Sequence, residues 1–189
     1  MKTLSKKRPQ YHNKLADTTI YDQLEDDGFY YQLIEGVLHV APSPLRIHQK
    51  IINRLSHIFN TFLDSHPIGE LYFAPFDVEL NDKNIFQPDL LFVSKDRLSI
   101  ITEKRVVGCP DLVIEILSES TKQLDLDSKY KTYEKSSVLE YWIVDPKKKS
   151  FSFYQLKEKI YKEIAVKEIY SSNVLKPLTF NLSDFWKKI

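Results

Sequence analysis

The segment from Asp111 to Leu117 (DLVIEIL) is apolar on both faces of an extended chain. A strand with no polar face needs a covering layer on each side. That requirement points to an α/β architecture, a mixed α+β sheet flanked by helices. It also sets a problem, because Glu115 interrupts the apolar run. An ionised carboxylate in a buried strand is costly unless it is paired or holds a metal. With 189 residues the chain has room for one ordinary domain. A chain of that length buries roughly 70% of its unfolded surface, enough for a core without disulfide or metal staples.

The patterning on either side supplies the other elements. Residues 18–27 read as a short acidic helix, and residues 29–34 and 37–41 as two strands joined by a Glu35-Gly36 hairpin turn. Pro44 opens a helix to about Ser65, in which Ile47, Ile51, Leu55, Ile58, Phe59 and Phe62 recur at the helical period. Residues 70–74 and 76–80 have strand composition broken by Pro75, and residues 89–93 and 140–145 are short apolar strands. Residues 120–136 form a helix candidate with Ser118 or Ser120 as its cap. Residues 150–156 and 160–166 form a hairpin, and 182–189 a terminal helix. There is no internal repeat, and only four glycines punctuate the chain, which favours one continuous domain over residues 17–189. Ahead of it, Lys2, Lys6, Lys7, Arg8 and Lys14 precede the first acid, Asp17, so residues 1–16 read as a flexible basic arm.

Several function classes drop out. No apolar run approaches the ~18 residues of a membrane span, and the N-terminus lacks the apolar stretch of a secretory signal. Cys109 is the only cysteine, which excludes an internal disulfide and a cysteine-based zinc cage and makes a reducing cytoplasm the expected setting. A net charge of +1 announces no nucleic-acid partner, so any such function must rest on local charge. GxxxxGK[ST], GxGxxG and HExxH are all absent, so a nucleotide cofactor is not expected.

Carboxylates on apolar strands remain. Asp89 follows Pro88, which cannot donate to a β-ladder and marks the end of its strand. Asp89 and Glu115 can therefore meet at a sheet edge or fork. Two carboxylates there repel, raising at least one pKa unless a divalent cation neutralises them. Mg²⁺, with Mn²⁺ as a substitute, suits such oxygen ligands. Lys129 is the candidate counter-ion. With Asp125 at zero on a helical wheel, Lys129 falls at about 40°, Tyr133 at about 80°, Leu126 at about 100° and Tyr130 at about 140°. Lys129 thus sits on the shoulder of a buried face, with Asp125 one turn earlier to orient it, while Lys131 points elsewhere. His48 lies on the apolar face of its own helix. Each residue also has a plainer reading. Asp89 can cap a turn, Glu115 can pair with a core lysine, and Asp125–Lys129 can be a surface ion pair. His48 can be a hydrogen-bonded core residue and Glu35 simply a turn residue.

Taken in order, the strings Gln32-Leu33-Ile34-Glu35-Gly36, His48, Pro88-Asp89, Asp111 through Ser118, Asp125-x-x-x-Lys129-x-x-x-Tyr133 and Glu140 through Pro146 carry a resemblance. From about residue 20 onward the chain resembles the Uma-two-like restriction endonuclease family, a branch of the PD-(D/E)XK nuclease superfamily. The resemblance implies a restriction-endonuclease-like fold with a metal site where central strands diverge. It gives Asp89 the place of the superfamily aspartate and Glu115 that of the acid in (D/E)XK. Leu117 stands where the lysine is expected, and Lys129 on the next helix takes its role. The implied chemistry is phosphodiester hydrolysis, with Mg²⁺ on Asp89, Glu115 and the Ile116 carbonyl, Lys129 acting on the water or the phosphate, and Glu35, His48 and Asp125 in support. Ser136-Ser137 departs from relatives that carry glycine before Val138.

The leading expectation is thus an Mg²⁺-dependent DNA endonuclease, with a homodimer fitting a two-fold duplex. A non-catalytic nucleic-acid-binding or assembly protein that keeps the fold is the alternative, and a hydrolase of small phosphoesters a third reading.

Overall fold

A computed structural model describes residues 8–189. The chain runs through α1 (Thr18–Asp22), β1 (Tyr31–Ile34), β2 (Val37–Val40), α2 (Arg46–Ser65), β3 (Gly69–Phe73), β4 (Asp77–Asn81), β5 (Asn84–Phe86) and β6 (Leu90–Ser94). A 3₁₀ turn (Lys95–Ile100) leads to β7 (Arg105–Val107), β8 (Leu112–Ile116), α3 (Lys122–Leu126), α4 (Ser128–Lys135) and β9 (Glu140–Asp145). The hairpin of β10 (Ser150–Lys157) and β11 (Ile160–Glu163), then β12 (Ile169–Ser171), β13 (Thr179–Asn181) and α5 (Leu182–Lys187), complete it.

The strand apolar on both faces is central, as its composition requires. β8 lies in a six-stranded sheet of order β11-β10-β9-β8-β6-β3, parallel to β9 and antiparallel to β6. Its alternation divides the core. Leu112, Ile114 and Ile116 face α2, where Ile51, Leu55 and Phe59 are fully buried against them. Val113 faces the opposite layer, with Tyr133 of α4 and Tyr141 of β9. Period-2 alternation puts Glu115 on that second face, beneath α4. A five-stranded sheet, β2-β1-β5-β4-β7, closes the second layer. No helix among the described residues is long and apolar enough to cross a membrane.

Two expectations change, and four short strands are added. The helix read over 120–136 is two helices, because Asp127 leaves the helical region at φ −125°, ψ −81°. The break invalidates a single wheel, and Leu126, assigned to the buried face, is 43% exposed. Within the basic arm, residues 10–16 are tied down. Asn13 and Ala16 donate backbone N–H bonds to Leu38 and Gly36, Leu38 donates to Lys14, and Gln10 N–H donates to Asp27. This segment satisfies the open edge of β2. Residues 1–7 of the arm, with Lys2, Lys6 and Lys7, lie outside the described residues. Finally, β5, β7, β12 and β13 have three residues each, too few to show a period of two.

Candidate active site

The fork between β6 and β8 positions the first carboxylate. Their register pairs Leu90 with Ile114, so continuing it would set Ile116 opposite Pro88. Pro88 has no N–H to donate, and the ladder stops. Leu117 N–H donates to Val144 on the β9 side, so the neighbouring Ile116 N–H and carbonyl face the fork. The Ile116 N–H donates to Asp89 Oδ2 at 2.7 Å, and His48 Nε2 donates to the same oxygen at 3.0 Å. Two donors thus hold one oxygen of Asp89, and Oδ1 has no protein donor among the described residues. His48 Nδ1 is likewise buried without a partner.

The second carboxylate is fixed by α4. Glu115 Oε1 accepts from Lys129 Nζ at 3.0 Å and from Tyr133 OH at 2.9 Å. Lys129 Nζ also lies 3.1 Å from Asp125 Oδ1, and the Tyr141 hydroxyl donates to the Asp125 carbonyl to hold the end of α3. Glu115, Lys129 and Asp125 are only 3%, 3% and 1% exposed. The surface ion-pair reading of Asp125–Lys129 is therefore excluded. Burial pushes the Glu115 carboxyl well above the carboxylate range, with Asp125 and Asp89 adding to the effect and Lys129 opposing it. Burial alone would lower Lys129, but Glu115 and Asp125 hold the ammonium above the usual lysine range. Lys129 also stands 5.8 Å from the Phe86 ring centroid, a cation–π contact.

Asp89, Glu115, Lys129, Asp125, His48 and Ile116 all line one cavity of about 980 Å³. Glu35 is not among its lining residues. It sits exposed in a turn where both it and Gly36 take positive φ, and its carboxylate accepts from the Ser128 hydroxyl at 3.3 Å. Gln32 and Gln87 line the cavity without having been singled out from the sequence, and Gln87 N–H donates to Gln32 Oε1. Both had a signal, since Gln87 precedes Pro88-Asp89 and Gln32 opens the string that runs to Glu35-Gly36. The Tyr133 hydroxyl was also missed, although it follows Lys129 by one helical turn.

The donor set fits a hard cation that keeps part of its hydration. No group of three or more His, Cys, Asp or Glu side chains poised around a metal is found among the described residues. Two carboxylates, each with one oxygen free of protein donors, and a backbone carbonyl facing the same fork suit Mg²⁺, which is usually held by one or two carboxylates and several waters. Zinc would want more nitrogen or sulfur ligands.

The profile of the Uma2 family, described as putative restriction endonuclease, matches residues 19–183. The chain belongs to the Uma2 family. Among solved structures, a putative nuclease belonging to DUF820 from Anabaena variabilis ATCC 29413 superposes with a TM-score of 0.76 over 91% of this chain and 98% of that one. Its sequence identity is 16%, so the likeness speaks for the fold, which is restriction-endonuclease-like. No curated protein matches the chain.

Proposed function

We propose that this Uma2 chain is a metal-dependent endonuclease that hydrolyses DNA phosphodiester bonds. The observation that supports it is a lysine enclosed with two carboxylates at the edge of a cavity, facing a third carboxylate pinned at a strand fork. Burying such charge destabilises a fold that gains nothing else from it, and perturbed groups in a cleft mark functional sites.

Asp89, Glu115 and the Ile116 carbonyl would hold Mg²⁺, or Mn²⁺ in its place. When bound, the ion neutralises phosphate charge and lowers the pKa of an attacking water. Lys129, kept protonated by Glu115 and Asp125, supplies a fixed positive charge for the charge that develops on the phosphate. Tyr133 and Lys129 both hold Glu115 Oε1 and so orient the carboxylate. His48 does the same for Asp89. Asp125, one helical turn before Lys129, holds its ammonium at 3.1 Å, and Glu35, placed outside the cavity, has no part in this scheme.

Incubation with supercoiled plasmid tests the reading. Nicked or linear product is expected with Mg²⁺ or Mn²⁺, none with EDTA, and none with Asp89→Asn. A folded wild-type protein that binds DNA yet never nicks it with either ion would instead support the non-catalytic binding protein.

A further inference from the structure

The cavity has two chemically different lips. One is formed by the end of the β1–β2 hairpin and the loop leading into α2, and it presents Tyr30, Pro42, Pro44 and Leu45. Tyr30 is 63% and Leu45 68% exposed, far more than large apolar side chains with a packing role. The other lip, formed by the approach to α3 and the turn after β9, presents Lys122, 4.0 Å from Asp145, and Lys147, paired with Glu119, with the exposed Lys148 and Lys149 following in the same turn. Both lysines are exposed, and ion pairs of that kind are weak enough for a phosphate to take the carboxylate's place. Within the cavity, five carboxylates (Asp89, Glu115, Glu119, Asp125, Asp145) stand against three lysines (Lys122, Lys129, Lys147).

That distribution suits an unpaired strand and not a continuous duplex. A duplex carries one phosphate charge per about 1.7 Å of axis and demands a broad basic footprint, whereas a single strand carries one per about 3.4 Å. The lining as a whole is acidic, and apart from Lys129, buried beside Glu115, its lysines stand on one lip, enough for one backbone. An exposed aromatic ring with apolar neighbours at the other lip is a stacking platform, the feature by which single strands are held without base-specific contacts. Building on the nuclease reading, we infer that the substrate is single-stranded nucleic acid, either free or as an unpaired segment of a duplex. Its bases stack on Tyr30 and the Leu45 loop. Its backbone follows Lys122 and Lys147, which brings a phosphate over Asp89 and Glu115.

The test is fluorescence anisotropy with a labelled single-stranded oligonucleotide and the blunt duplex of the same sequence, in Ca²⁺, alongside cleavage of both in Mg²⁺. The single strand should bind at least about tenfold more tightly. Tyr30→Ala should weaken single-strand binding about tenfold and leave duplex binding unchanged, and Tyr30→Phe should restore it, since the ring and not the hydroxyl does the stacking. Lys147→Gln should flatten the dependence of single-strand affinity on log salt by about 0.7, the slope that one neutralised phosphate of a single strand contributes. Tyr30 is exposed, so loss of folding will not mimic these results. Tighter binding of the blunt duplex, or single-strand affinity unmoved by Tyr30→Ala, overturns the inference. If the blunt duplex alone is cut, the inference falls and the nuclease reading stands; if neither nucleic acid is bound or cut, both fall.

Discussion

The backbone N–H of Ile116 reaches the side chain of Asp89 at 2.7 Å, joining the last residue of one central strand to the residue that precedes its neighbour. A side chain completes the ladder where proline cannot, and the strand fork thereby fixes a carboxylate beside the one that Glu115 carries.

Glu115→Gln should abolish Mg²⁺-dependent cleavage and alter stability in a pH-dependent way. The folded protein raises the Glu115 pKa from 4.5 to about 8. A carboxyl whose pKa is raised on folding binds its proton more tightly in the native state, so its contribution is complete below the unfolded value and is lost as pH rises through the folded one. Wild type should lose stability between about pH 5 and pH 8 in the absence of metal, and the variant should lose less. The two melting temperatures should agree near pH 5, with the variant higher at pH 8.5 by about 2–4 °C for each kcal/mol relieved. Equal pH slopes in thermal denaturation would contradict this.

Lys129→Met should destabilise by about 3–5 kcal/mol at pH 8.5, where it leaves Glu115 and Asp125 without a cation, and by less at lower pH, where Glu115 holds its own proton. Adding Glu115→Gln should recover part of that loss. Lys131→Ala, which removes only an exposed pair with Asp127, should stay within about 0.5 kcal/mol of wild type and keep its activity. Denaturant titrations of the three variants measure the difference.

His48→Ala should raise the Mg²⁺ concentration needed for half-maximal cleavage by about 10–100-fold, the effect expected when a group that orients a metal ligand is removed. Metal titration of plasmid nicking reads it directly. An unchanged requirement would make His48 a packing residue.

Ser137→Gly should stabilise the protein by about 0.5–1 kcal/mol. Ser137 ends α4 at φ 67°, in the left-handed region that favours glycine, while Val138 N–H bonds back to the Tyr133 carbonyl. Thermal denaturation should show a rise of about 1–4 °C with activity unchanged.

The long-range frame was legible where periodicity ran long enough: α2 and the strands around Asp89, Glu115 and Trp142 stand close to where their patterns place them. The break at Asp127 was not, because both halves read as helix and only tertiary contacts set the angle between them. Glu140 shows a deeper limit. Like Glu115 it is a carboxylate on an apolar strand and is 1% exposed, yet nothing in the sequence separates the two. Its oxygens are taken up by neutral donors, the Trp142 indole, the Ser172 hydroxyl and the backbone N–H groups of Asn173 and Val174. It serves to anchor the chain after β12. What distinguishes a working carboxylate from a fastener here is the identity of its partners, and all of those named except Trp142 come from segments 14 or more residues away.

Glu115 and Lys129 belong to different elements, a strand and the helix laid over it, and their meeting depends on Tyr133 seating against Phe86 and Tyr141. On the proposed reading, catalytic competence therefore requires α4 to be docked on the sheet. The same division makes activity a sensitive reporter of how well the two layers adhere, so a bond-breaking assay should register loosening of α4 before spectroscopy registers any loss of helix.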